Sequence, residues 1–131
     1  MKQAVVFLIF VGAVFALMLT YTARMEKGSA DILTGILKAD KVVMLNVGAE
    51  FCPPCSAMQP ILEELRREYE NQVYFPYIDI REHNDKARQL GVRTTPTQIF
   101  YDHTGSERYR HEGFMEKEEV KDILQELLAR Y

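Results

Sequence analysis

The sequence predicts an α/β domain: a four-stranded mixed sheet flanked by helices on both faces, behind an apolar N-terminal helix. Three observations predict it. Short apolar runs alternate with segments of helical periodicity, in the order helix, strand, helix, strand, helix, strand, strand, helix. Lys41 to Val47 is an almost continuous apolar run, which suits a central strand covered on both faces. Asp102-His103-Thr104-Gly105 separates the last two strands and is a hairpin turn signal.

The elements follow in order. Ala4 to Leu19 is apolar apart from Gly12 and is preceded by Lys2. Extended from Gln3 to Ala23, it has about the length that spans a bilayer. A signal peptide shares the basic start and apolar middle, but Leu19-Thr20-Tyr21-Thr22-Ala23-Arg24 is a poor small-x-small cleavage site. An uncleaved anchor is therefore favoured over a removed signal for residues 1–23. Residues 24–30 read as a linker, and the domain proper covers 31–131.

Asp31 to Lys38 reads as a short helix with Ile32, Ile36 and Leu37 on its apolar face. Pro53 to Tyr69 is a longer one, with Met58, Ile61, Leu62 and Leu65 at helical spacing and Pro60 expected to kink it. Val73 to Ile80 is a strand interrupted by Pro76, which places it at an edge or a bulge. Asp85 to Leu90 is a short helix stopped by Gly91. Thr97 to Tyr101 and Ser106 to His111 form the hairpin. Glu116 to Arg130 is the last helix, with Val120, Ile123, Leu124, Leu127 and Leu128 along one face.

All 19 acidic residues and all but one of the 16 basic ones follow residue 23, which leaves that part near −4. The charges are interspersed. This argues against a nucleic-acid or anionic-membrane surface.

Both cysteines of the chain lie in Cys52-Pro53-Pro54-Cys55, after an apolar strand and at the start of a helix. That context points to redox chemistry. A thiolate at a helix N-terminus is stabilised by the helix dipole and by unpaired N–H groups. The prolines restrict the turn and favour starting a helix at once. The rival reading is half of a zinc site, which needs two more ligands. His83, His103 and His111 are scattered along the chain, so no metal is assigned. A structural disulfide would close a very short loop and contribute little. Confining cysteine to one pair fits an extracytoplasmic compartment, where a disulfide persists.

These residues resemble the thioredoxin superfamily over about 100 residues, from Asp31 to the C-terminus. Gly48-Ala49-Glu50-Phe51-Cys52-Pro53-Pro54-Cys55, then Thr94-Thr95-Pro96-Thr97 entering the next strand, then Gly113-Phe114 before a terminal amphipathic helix, carry the resemblance. It implies a thioredoxin-like fold. Cys52 would be the attacking thiolate and Cys55 the resolving thiol. Pro96 would be cis and pack on the disulfide, and Thr95 would offer its backbone to a substrate, beside the rim of Phe51. The chain also departs from the family. It has no tryptophan, and Phe51 and Gly48 hold two positions where the family places one. Asn46 stands where the family has a buried aspartate. An amide cannot shuttle a proton, so Cys55 must lose its proton to water or another group, with Glu50 a candidate. The family's extra N-terminal strand is missing, which leaves Val73 to Ile80 at the sheet edge.

The resemblance implies a thiol–disulfide oxidoreductase on protein disulfides, without metal or organic cofactor. It would work outside the cytoplasm, as a reductase fed by a membrane thiol donor. The alternatives are a disulfide-forming oxidant, a non-catalytic binding module and a copper-handling protein.

Overall fold

The computed structural model describes the backbone of residues 2–131 and the side chains of residues 6–21, 34–36 and 38–131. Two compact units divide the chain, Met1–Leu33 and Thr34–Tyr131.

The first unit is helical. Helix α1 is assigned from Lys2–Lys38, so the backbone is helical through 24–30, where a linker was expected. The seven residues there include no proline to break a helix. Asp31 to Lys38 is correspondingly the end of α1 rather than a helix of its own. Among the described residues, no helix is long and apolar enough to cross a membrane. That departs from the expected spanning helix. The described apolar stretch is Val6 to Tyr21, about 24 Å of helix against roughly 30 Å of hydrocarbon.

In the second unit, β1 (Val42–Gly48) is buried along its whole length. β4 (Thr97–Tyr101) runs antiparallel to it, and β5 (Glu107–Glu112) runs antiparallel to β4. On the other side of β1 lie two short parallel strands, β2 (Val73–Tyr74) and β3 (Tyr77–Asp79). The sheet thus has five strands rather than four. The cause is Pro76. It brings no N–H to the ladder, so the segment read as one strand splits around it. Its carbonyl still accepts the Asn46 N–H at 3.0 Å, which keeps both halves on β1. The split segment sits at the sheet edge, where a proline is tolerated.

The core explains the pattern. Helix α2 (Pro53–Glu68), which runs through Pro60 as one element, contributes Met58, Leu62 and Leu65. Helix α4 (Lys117–Arg130) contributes Val120, Leu124 and Leu127. They close over Val42, Met44 and Phe100 on one face of the sheet, with Met115 between. Each such side chain contributes about 1.5–3 kcal/mol on leaving water. The other face of β1 and β4, with Val43, Leu45, Val47, Thr97 and Ile99, is equally closed to solvent. Ala87 of helix α3 (Asn84–Gln89) and Ile36 in the last turn of α1 are buried as well. The chain is therefore a thioredoxin-like α/β fold with a mixed sheet flanked by helices.

Candidate active site

The C-terminal end of β1 leads through Ala49, Glu50 and Phe51 into α2, and the cysteine pair sits at that junction. Cys52 is the N-cap of α2, in extended conformation. Pro53 and Pro54 fill the next two positions and have no N–H. The first free donor of the helix is thus the N–H of Cys55, and it points at Cys52 Sγ, 3.3 Å away. Ser56 donates both its N–H and its hydroxyl to the Cys52 carbonyl, at 3.0 and 3.3 Å. The two sulfurs form a disulfide, with Cα atoms 5.2 Å apart. Cys52 is half-buried, whereas Cys55 is only 2% exposed.

The loop ahead of β4 faces the pair. The Thr95–Pro96 peptide is cis, the isomer the resemblance implies. Pro96 is buried and its carbonyl accepts the Gly113 N–H at 2.7 Å, which fastens this loop to the end of β5. Thr97 Oγ1 donates to the Thr94 carbonyl, also at 2.7 Å. Thr95 is half-buried, and its hydroxyl lies 3.7 Å from Cys52 Sγ. A residue 43 positions away thus reaches the outer sulfur.

Asn46 sits in β1 and is 1% exposed. Its Oδ1 accepts from Gln98 Nε2 of β4 at 3.2 Å, while Asn46 Nδ2 and Gln98 Oε1 have no partner. Glu50 is exposed, and its carboxylate pairs with the Arg81 guanidinium. Phe51 is 87% exposed, with φ +59. Pro53 and Pro54 are exposed beside it. Of the histidines, His83 is the N-cap of α3, His103 lies in the hairpin turn and His111 on β5.

Three neighbours of the site escaped the sequence reading. Gln98 is a lone amide within the strand Thr97–Tyr101, but only the β1–β4 register reveals Asn46 as its partner. Arg81 follows β3, and its guanidinium carbon lies 5.6 Å from the centre of the Phe51 ring. Tyr77 of β3 lies over Gly48: a Cβ there would come within 2.7 Å of the phenol oxygen. Burial, followed by the charges of Asp79 and Glu82, pushes the Tyr77 phenol up from its ordinary pKa, so it remains a neutral donor.

A half-exposed sulfur fed by a helix N–H, linked to a buried one, suits exchange in two steps, with attack at Cys52 and resolution by Cys55. Comparison with known proteins agrees. The thioredoxin family model matches residues 28–126. Thioredoxin from Chlorobaculum thiosulfatiphilum is 33% identical over 74 residues, covering 56% of this chain and 68% of that protein. Thioredoxin from Borreliella burgdorferi is 27% identical over 92 residues, 70% of this chain and 78% of that one. Thioredoxin from Pseudomonas aeruginosa is 35% identical over 66 residues, 50% of this chain and 61% of that one. The chain belongs to the thioredoxin family, and Cys52–Cys55 is the redox pair of a thiol–disulfide oxidoreductase.

Proposed function

We propose that this protein reduces disulfides of other proteins outside the cytoplasm, from a position tethered to a membrane. The observation that carries the reading is the asymmetry of the pair: Cys52 is partly open and receives the Cys55 N–H, while Cys55 is closed off. In the reduced enzyme the Cys52 thiolate attacks one sulfur of a substrate disulfide. The substrate S–S bond breaks, and the departing sulfur takes up a proton. The Cys55 thiol then loses its proton and attacks Cys52 Sγ. That releases the second substrate thiol and leaves the disulfide described above. Two electrons pass from enzyme to substrate. A membrane thiol carrier would restore the dithiol.

Exposure along α1 supports the tether. Phe7, Leu8, Ile9, Phe10, Phe15, Leu17 and Met18 are each between 65% and 70% exposed. A helix apolar all round needs a cover, and lipid provides one. The apolar run also continues in the sequence beyond the described side chains, to about twenty residues.

The first test is the potential of Cys52–Cys55 in the full chain, in detergent, by equilibration with glutathione or dithiothreitol. A value near about −270 mV supports the reductase, and one near about −120 mV identifies a disulfide-forming oxidant instead. Insulin reduction with dithiothreitol as electron source is the companion assay. No turnover there would point to a binding or copper-handling role and defeat the proposal. Membrane association is tested by carbonate extraction of the expressed chain, and release into the wash would refute the tether.

A further inference from the structure

Arg81 holds a peculiar position. It lies on the turn after β3, and the backbone fixes it there. The Ile80 N–H donates to the Gly48 carbonyl at 3.0 Å, and the Arg81 N–H donates to Asp79 Oδ1 at 2.8 Å. From this base the guanidinium does two things. It pairs with Glu50 and lies against the ring of Phe51. Glu50 and Phe51 are the two residues immediately before the attacking cysteine.

Stability does not account for this cluster. The Arg81 and Glu50 side chains are 55% and 63% exposed, and an ion pair this open to water contributes little. A cation–ring contact at an exposed site adds only a small amount more. Against that, Phe51 presents a large ring to water from a left-handed backbone that side chains disfavour. An exposed aromatic beside an arginine is instead the composition of a recognition surface.

We infer that Arg81 is a specificity-determining residue that favours substrates carrying a carboxylate side chain close to the reactive disulfide. This rests on the reading of the protein as a disulfide reductase. The substrate carboxylate replaces Glu50 on the guanidinium while its neighbouring apolar atoms lie on the Phe51 ring. Glu50 is then an internal competitor that keeps the guanidinium oriented when no substrate is bound. The fork of Arg81 suits a planar carboxylate in a way an ammonium does not.

The test uses two synthetic peptide disulfides that differ only in aspartate or asparagine two residues from the cysteine. Both are reduced by the full chain with dithiothreitol as electron source, and kcat/KM is measured for each. The wild-type ratio should favour the aspartate peptide by roughly three- to tenfold and shrink as salt rises. Arg81→Ala should bring the ratio toward one, through KM rather than kcat. Arg81→Lys should fall between. Glu50→Gln should raise the ratio above the wild type, because the competitor is gone. Equal reduction of both peptides by the wild type, or an unchanged ratio in Arg81→Ala, would overturn the role of Arg81 and leave the reductase reading standing. Failure to reduce either peptide would overturn both.

Discussion

Gln98 Nε2 donates a hydrogen bond to Asn46 Oδ1 at 3.2 Å across the β1–β4 ladder. Both side chains are closed to water, and one polar atom of each is left without a partner. A buried amide pair that is half satisfied costs free energy, because each orphaned group has lost its water. The family places an aspartate at position 46. This chain holds a group there that keeps the same shape but carries no charge and exchanges no proton.

Asn46→Asp should therefore destabilise the oxidised protein in a pH-dependent way. The new carboxylate would have Gln98 as a donor for one oxygen, and the other oxygen would stand where the Asn46 amide has no partner. Burial favours its protonated form and raises its folded pKa above the unfolded value near 4. The sign follows. Well below pH 4 the group is neutral in both states, and at pH 4 the penalty is still small. As pH rises toward the folded pKa the unfolded chain ionises first, and the variant loses stability. Denaturant midpoints of both proteins at pH 4 and pH 8 should show a gap that widens with pH. A gap equal at the two values would mean that the new carboxylate titrates normally.

Cys52→Ser should reduce insulin turnover to the rate of dithiothreitol alone, since the proposed mechanism makes its first bond at this half-buried sulfur. Cys55→Ser should behave differently. It keeps the attacking sulfur but lacks the resolving one, so a mixed disulfide between Cys52 and substrate should accumulate. Non-reducing mass spectrometry distinguishes the two variants. Adduct on Cys52→Ser, with none on Cys55→Ser, would reverse the assigned roles.

The redox pair itself is legible in the sequence because it is local. Cys52 and Cys55 are one helical turn apart, and the spacing of Met58, Leu62 and Leu65 identifies the helix that carries them. The strand Thr97–Tyr101 is likewise legible to its ends, because the Thr-Pro step and the hairpin turn bound it. Contacts set by register were not legible. Arg81 and Glu50 are 31 residues apart, and Gln98 and Asn46 are 52 apart. Nothing in either segment names its partner until the strands pair. Pro76 marked an edge position, but whether the chain resumed its ladder beyond it depended on the Pro76 carbonyl reaching Asn46. The 24–30 stretch misled for the opposite reason. Its Gly and Ser look like punctuation, yet the helix continues through them.

Asp102 opens the β4–β5 hairpin, and its fully buried carboxylate gathers it. Oδ1 accepts from the Thr104 N–H and hydroxyl and from the Ser106 N–H, and Oδ2 accepts from Arg108 Nε at 2.5 Å. Burial alone would raise its pKa, but the bonds from Thr104, Arg108 and Ser106 outweigh that and hold it well below the usual carboxylate range. Asp102→Asn turns an NH2 toward one of these donors and should cost about 1–3 kcal/mol at pH 7. A depressed folded pKa gives stability that is complete above the unfolded value near 4 and is lost as pH falls toward the folded one. The deficit of Asp102→Asn should thus shrink below pH 4. A deficit constant from pH 7 to pH 2 would show that charge is not what the hairpin uses.

Gly48 and Tyr77 give the sharpest test of how this chain manages without the family's tryptophans. The phenol oxygen of Tyr77 is 2.7 Å, and two ring carbons 3.0 and 3.2 Å, from the place a Cβ on Gly48 would occupy. Tyr77 fills the space that a side chain at position 48 would otherwise claim. Gly48→Ala should therefore displace the ring and destabilise the protein. Tyr77 is 36% exposed and can swing outward, which limits the cost to about 1–2 kcal/mol. In a Tyr77→Ala background the obstacle is gone, and the same Gly48→Ala change should cost much less. The coupling in this double-mutant cycle should amount to about 0.5–1.5 kcal/mol. Additive costs would mean that the glycine answers to a backbone demand at the end of β1, and that Tyr77 merely rests over it.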